Sequence, residues 1–323
     1  MIRTTFYDQE ATNRRESVLL VLVVLAILAL FGFAIGYGTS GYLESGIAVT
    51  LGALVLGALV SVGSYFGGDQ LVLASSGAKE VDPQSAPQLM NVVQEMALAA
   101  GVPMPKVYVI EDSAPNAFAT GRDPNHASVA ITTGLLQKLD REELQGVLGH
   151  ELSHVRNFDI RFGLLVAVLV GSIALLADMF LRFTWFGGGR SRNDRNGGGA
   201  AAIVFVLAIV LAVLAPIFAR LVQLAVSRQR EYLADASSVE LTRNPHGIER
   251  ALAKIAADQD VLEVANRATA HLYFTNPIKK FEARASSMFS THPPIVDRIN
   301  RLRQLTGDPP LAEADVRALA GLD

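Results

Sequence analysis

His150-Glu151-Leu152-Ser153-His154 is the stretch around which the chain is read, and it has the spacing of a zinc site. On an α-helix, residues i and i+4 lie one turn apart on the same face, so His150 and His154 present imidazole nitrogens to one metal ion. Glu151 is offset by about 100° around the helix, towards the side where water sits beside such an ion. Leu144, Leu148, Leu152 and Val155 form an apolar stripe at helical spacing, with the histidines roughly opposite. That pattern predicts a helix buried by one face and offering ligands with the other. Three fixed positions in five arise by chance in on the order of one chain in a hundred of this length, so the surrounding sequence has to decide.

The surroundings point to a membrane. Half of the 323 residues are apolar and 18% are charged, a low charged fraction for a soluble protein. Ser17 to Tyr37 and Gly46 to Phe66 contain no Lys, Arg, Asp or Glu, and each is about the 20 residues needed to cross a hydrocarbon core. The first run is too long for a signal peptide and is followed closely by the second, which predicts a retained helical hairpin. Arg3, Arg14 and Arg15 precede it while Gly38 to Ser45 carries no Lys or Arg, so the N-terminus is expected in the cytoplasm. Phe162 to Leu181 and Ala200 to Ala219 read as a second hairpin, interrupted by Asp178 and Pro216. The turn between them holds Arg182, Arg190, Arg192 and Arg195, against the charge bias. Either the first hairpin dominates orientation, or the second is tilted or shallow.

There is no cysteine, so disulfides and thiolate ligands are excluded and a metal must be held by His and carboxylate. A net charge of −3, with no basic stripe, argues against a nucleic-acid partner. Between the hairpins, Ala86 to Ala100 reads as an amphipathic helix ended by Gly101 and Pro103. Lys106 to Ile110 and Ala127 to Thr132 read as strands, with a further short strand within Asn116 to Gly121 and a turn at Asp123-Pro124-Asn125. An extended segment beside a metal site is where a peptide can add its own strand to a sheet edge. Asn116, Ala117, Phe118 and Ala119 are therefore candidates for substrate backbone recognition, the alternative being a plain structural strand.

A catalytic zinc needs a third protein ligand. After the fourth apolar run, Glu231 and Asp235 stand four apart in a stretch of helical composition, Ser227 to Asp235. Glu231 can ligate the metal while Asp235 orients a ligating histidine through its other ring nitrogen. Glu231 lies 12 residues past Ala219 and His154 lies 8 before Phe162. Unbroken helices would span about 18 and 12 Å, which puts the site close to the membrane surface.

His150 to His154, Glu231-Tyr232-Leu233-Ala234-Asp235 and Asn116-Ala117-Phe118-Ala119-Thr120-Gly121 together resemble the HtpX family of membrane-bound zinc endopeptidases, relatives of the CAAX prenyl endopeptidases. The resemblance runs from the first span to about Arg303. It implies one Zn2+ per chain held by His150, His154 and Glu231, with Glu151 as general base and Asp235 behind the ligands. It also implies a mainly α membrane protein with about four transmembrane helices and a cytoplasmic α+β, gluzincin-like protease domain. On that reading 1–16 is a cytoplasmic segment, 17–66 and 162–219 are hairpins, and 67–161 and 220–323 are the two catalytic parts. The implied role is quality control of misfolded polypeptides in the plasma membrane under stress, with lipid as the other partner. The sequence leaves the oligomeric state open.

Downstream, Pro245 to Ala257 and Pro294 to Leu305 read as helices, the latter introduced by Ser290-Thr291-His292-Pro293. His292 is a candidate catalytic donor to the oxyanion; the alternative is a structural residue before a Pro-Pro turn. His126, His246 and His271 have no partner at metal spacing in the sequence. Two rival enzymes or carriers fit less well. An intramembrane protease would place the motif within a span, yet Asp140, Arg141, Glu142 and Glu143 precede it. A metal transporter would need ionisable groups at midplane, which the first two spans lack. The alternative reading, a non-catalytic zinc-binding membrane scaffold, would want a closed fourth ligand, for which the sequence offers no obvious candidate.

Overall fold

The computed structural model describes residues 6–162, 206, 209, 228, 230–258, 260, 262, 273–274, 293–312 and 315–321. The chain divides into two compact units, one made of Arg15–Phe66 and Leu165–Gln223, the other of Met1–Arg14, Gly67–Leu164 and Leu224–Asp323.

In the first unit, helices α1 (Phe6–Ser40) and α2 (Leu43–Ser75) form a hairpin. Both outrun the predicted spans, because polar residues flanking an apolar run still satisfy the helical hydrogen bonds. The turn shrinks to Gly41, with φ 74, and Tyr42. Within the pair, Val21–Gly38 and Leu43–Ser75 are long and apolar enough to cross a membrane, with mean hydropathies of 2.5 and 2.2. Glycine sets the approach between them: a Cβ on Gly36 would collide with the Ser45 carbonyl, and one on Gly57 would meet Leu28. Leu22, Leu30, Leu51 and Leu59 are left exposed on the outside, a surface suited to lipid rather than water. The predicted third and fourth spans lie outside the described residues, apart from Phe162, Val206 and Ile209.

The second unit carries a four-stranded sheet. Strands β1 (Lys79–Glu80), β2 (Lys106–Ile110), β3 (Ala117–Gly121) and β4 (Ala127–Thr132) are ordered β1-β2-β4-β3. The central β2–β4 pair is parallel, with Tyr108 opposite Ala130. Both outer strands run antiparallel to their neighbours. Helix α3 (Pro87–Ala100) starts with Pro87 and ends at Gly101 in the left-handed conformation, φ 68, as the Pro-first, Gly-last asymmetry predicts. The turn before β4 is a short 3-10 helix, Pro124–His126, capped by the Asp123 side chain. Helix α4 (Thr133–Lys138) and strand β1 have no counterpart in the sequence reading, since six residues and two are too few to show a period.

Helix α5 (Arg141–Arg156) carries the central motif and begins at a reciprocal capping box between Asp140 and Glu143. Helix α6 (230–242) holds the second motif. Helices α7 (Pro245–Ala257), α8 (Ile295–Thr306) and α9 (Val316–Leu319) follow. The expectation that α5 is buried by one face is corrected here. It packs on α3, α7 and β3, and His150, Glu151 and Ser153 are as buried as Leu148 and Leu152. The apolar stripe faces the core, while the ligand face is covered by polar partners, which an apolar period does not register.

Two glycines on α5 allow that enclosure. A Cβ on Gly146 would stand 2.6 Å from the Ile248 backbone nitrogen of α7, and one on Gly149 would stand 3.1 Å from Ser238 Oγ of α6. Ser238 Oγ donates to the Gly146 carbonyl at 2.6 Å, fastening α6 to α5. Gly146→Ala should therefore destabilise the protein by about 1–3 kcal/mol through overpacking, with Gly149→Ala milder because a hydroxyl yields more readily than backbone. Thermal unfolding of the detergent-solubilised protein measures both.

Candidate metal centre

Close docking of α6 on α5 brings three predicted residues together. His150 Nε2 and His154 Nε2 are 3.1 Å apart. Glu231 Oε2 lies 3.7 Å from the former and Glu231 Oε1 lies 3.6 Å from the latter. One ligand atom from each residue lies within 4.8 Å of the others. The far side of each ring is held by a carboxylate: His150 Nδ1 is 2.9 Å from Asp235 Oδ1, and His154 Nδ1 is 2.9 Å from Asp159 Oδ2. An ionised carboxylate only accepts, so each ring donates its Nδ1–H and turns the Nε2 lone pair inward. With both rings neutral, two lone pairs and a carboxylate converge in a buried space and repel one another, and a cation, metal or proton, at their focus reverses the sign. Two imidazoles and one carboxylate, with no thiolate, are a donor set that suits zinc.

Arg298, at the start of α8, is fully buried against this arrangement. Its Nε and Nη2 donate to the two oxygens of Asp235 at 2.8 and 2.6 Å, a forked pair. Its Nη1 donates to the Phe274 carbonyl at 2.9 Å and stands 3.5 Å from Glu231 Oε2. The guanidinium also lies over the Phe274 ring, which meets His150 edge to face at 4.8 Å. Sequence reading missed Arg298 because it is one of three arginines on an amphipathic helix. It missed the role of Asp159 because five residues past His154 is beyond the helical spacing.

These contacts divide the titrating groups. Burial pushes His150 down to about 4, against the pull of Asp235. Burial also opposes charge on His154, but the Asp159 hydrogen bond and the charges of Asp159, Glu231 and Glu151 prevail and raise it to about 9. Burial raises Glu151 to about 7; Glu231 adds to the rise, while His154, the Ala119 N–H and Arg298 oppose it. Asp235 is held below the usual carboxylate range because Arg298 and His150 overcome its burial. Glu151 is thus a buried carboxylate poised near neutrality, the property wanted in a general base.

The candidate substrate segment lies beside it. Ala119 donates its backbone N–H to Glu151, and Asn116 Oδ1 accepts from the Ala117 N–H at 3.0 Å. The outer edge of β3 is partly taken by the chain itself. Phe274 N–H donates to the Ala117 carbonyl at 2.7 Å, and Tyr273 bridges Phe118 with the two rings 5.0 Å apart. A substrate strand pairing at Ala117 therefore has to exchange with Phe274. His292 and His271 lie outside the described residues. His246, read as a loop or surface residue with no partner at metal spacing, lies 3.3 Å from Glu249 and within reach of Asp308. Glu249 is also held by Arg303 at 2.8 Å, which makes the group a surface ion-pair cluster.

Removing Arg298 would leave Asp235 as a buried carboxylate without its cation. Arg298→Met should cost about 3–5 kcal/mol of stability, with Arg298→Lys in between because an ammonium cannot reproduce the fork. Chemical denaturation of the metal-free protein checks this.

Comparison with known proteins gives the family. Residues 83–306 match Peptidase family M48. The chain is 45% identical over 300 residues to a protease HtpX homolog of Streptococcus uberis, covering 93% of this chain and 99% of that one. It is 45% identical over 307 residues to a protease HtpX homolog of Thermoanaerobacter pseudethanolicus, covering 95% and 100%. A solved structure, Ste24p of S. mikatae, is similar with a TM-score of 0.45 and 19% identity, over 90% of this chain and 67% of that chain. The chain belongs to peptidase family M48 and is a metalloprotease of the membrane.

Proposed function

We propose that the chain is a zinc endopeptidase whose ligands are His150, His154 and Glu231 and whose general base is Glu151. The observation that carries this reading is the convergence of two inward-facing Nε2 atoms and the Glu231 carboxylate, with buried Glu151 next to them in sequence. When bound, zinc supplies Lewis-acid polarisation of a peptide carbonyl and acidifies a water. Glu151 accepts the proton of the attacking water and passes it to the departing amide nitrogen, a transfer eased by its position near neutrality. Asp235 fixes the His150 ring, Arg298 fixes Asp235, and the Asn116–Ala119 segment aligns the substrate backbone. His292 is assigned the oxyanion. The domain is gluzincin-like, since two histidines of one helix are joined by a glutamate from a later one.

Four spans are proposed, with catalytic parts 67–161 and 220–323 on the cytoplasmic side of the plasma membrane. Support comes from Arg3, Arg14 and Arg15 before the first span and from the lack of Lys or Arg between Gly38 and Ser45. Substrates on that side are loops and unfolded segments of damaged membrane proteins, which fits a quality-control role.

Glu151→Gln is expected to bind zinc as the parent does yet lose proteolysis by at least about 100-fold. His150→Ala and Glu231→Ala are expected to lose zinc itself. Metal analysis alongside casein and self-cleavage assays reads both, and an active Glu151→Gln preparation free of other proteases would remove the mechanism. At pH 7.5 the metal-free protein holds a proton on His154, below its value of about 9. Metal requires the neutral ring, so binding should release about one proton. Calorimetry in buffers of different ionisation enthalpy counts it.

A further inference from the structure

Beyond α5 the chain does something costly. Asn157 ends the helix, and Phe158 then adopts φ 60, the left-handed region that a bulky side chain rarely enters. The turn is held in place: the Arg161 guanidinium covers the Phe158 ring at 4.9 Å, and Arg161 Nε donates to the Arg122 carbonyl at 2.8 Å. Its result is to fold Asp159 back onto the helix it has just left. There Asp159 Oδ2 stands 2.9 Å from His154 Nδ1, while Asp159 Oδ1 stands 3.6 Å from Arg230 Nε. Arg230 directly precedes Glu231 on α6, and its guanidinium lies over the Phe162 ring at 3.9 Å. One carboxylate thus touches a ligand of the first helix and the neighbour of the ligand on the second.

We propose that Asp159 is a positioning residue for the metal. It fixes the tautomer and ring direction of His154 and, through Arg230, holds Glu231 of α6 at ligand distance. A strained turn persists only where the surrounding contacts over-determine it, and a ligating histidine generally needs such a partner on its other nitrogen. His150 has its own in Asp235, which is backed by Arg298. Asp159 makes the arrangement complete for His154, with Arg230 in the place Arg298 holds on the other side. The two carboxylates differ in reach: Asp235 sits on α6 and grips α5, whereas Asp159 sits past the end of α5 and grips α6.

The inference rests on the metal reading above, and the experiment separates the two. Zinc affinity of the full-length, detergent-solubilised protein is measured by competition with a chromogenic chelator, and the Co2+ form is examined by visible absorption. Asp159→Ala should bind zinc about 10–100-fold more weakly, with an altered Co2+ spectrum, and Asp159→Asn should fall between it and the parent. Arg230→Met should weaken binding less, and adding it to Asp159→Ala should bring no further loss, because the two act through one contact. Asp159→Ala with affinity within twofold of the parent and an unchanged spectrum overturns the proposal. Should that variant not fold, Asp159→Asn within twofold of the parent overturns it instead. Fully additive losses overturn the part assigned to Arg230, and a parent that binds neither ion overturns the metal reading along with it.

Discussion

Two imidazole nitrogens held 3.1 Å apart, each Nε2 turned towards the other, are the constraint on which this structure depends. Nothing about a helix makes that arrangement favourable; the i, i+4 spacing only permits it. It is enforced from behind, by carboxylates on both Nδ1 atoms and by a buried arginine on one of those carboxylates. The third acceptor, Glu231, comes from a helix far away in sequence. Its arrival depends on Gly149, where a larger residue would hold Ser238 and its helix away.

Much of the site was legible because its spacing is local. His150 and His154 are set by one helical turn, and Glu231 and Asp235 by another. The strands beside them show as β-rich runs bounded by turn residues. What could not be read is what depends on tertiary approach. Arg298 looks like any arginine on a surface helix until α8 is buried against Asp235. Asp159 stands off the helical period and reaches His154 only through the left-handed turn at Phe158. The burial of α5 on every side was misjudged for the same reason: polar residues cover its ligand face, and only their pairing makes that covering tolerable.

The sheet edge illustrates a related limit. The Asn116–Ala119 segment reads as an edge strand, and β3 is one in the order of the sheet. A backbone contact from Phe274 nevertheless occupies its Ala117 carbonyl, and no pattern in the sequence signals that pairing. Tyr273, next to it, reaches Ser76 just past the end of α2, where the two hydroxyls are 3.2 Å apart. The edge is therefore tied both to the candidate metal centre, through Phe274 on His150, and to the segment that follows the apolar helix α2.

The crowd of charged groups has a further consequence, in charge neutrality. Glu151, Asp159, Glu231 and Asp235 bring four negative charges into a largely buried space, and Arg230 and Arg298 answer two of them. A divalent ion answers the remaining two. Without it the same region draws protons: the carboxylates of Asp159, Glu231 and Glu151 raise His154 to about 9, and burial raises Glu151 to about 7. Metal and protons are thus alternative counter-charges for one interior.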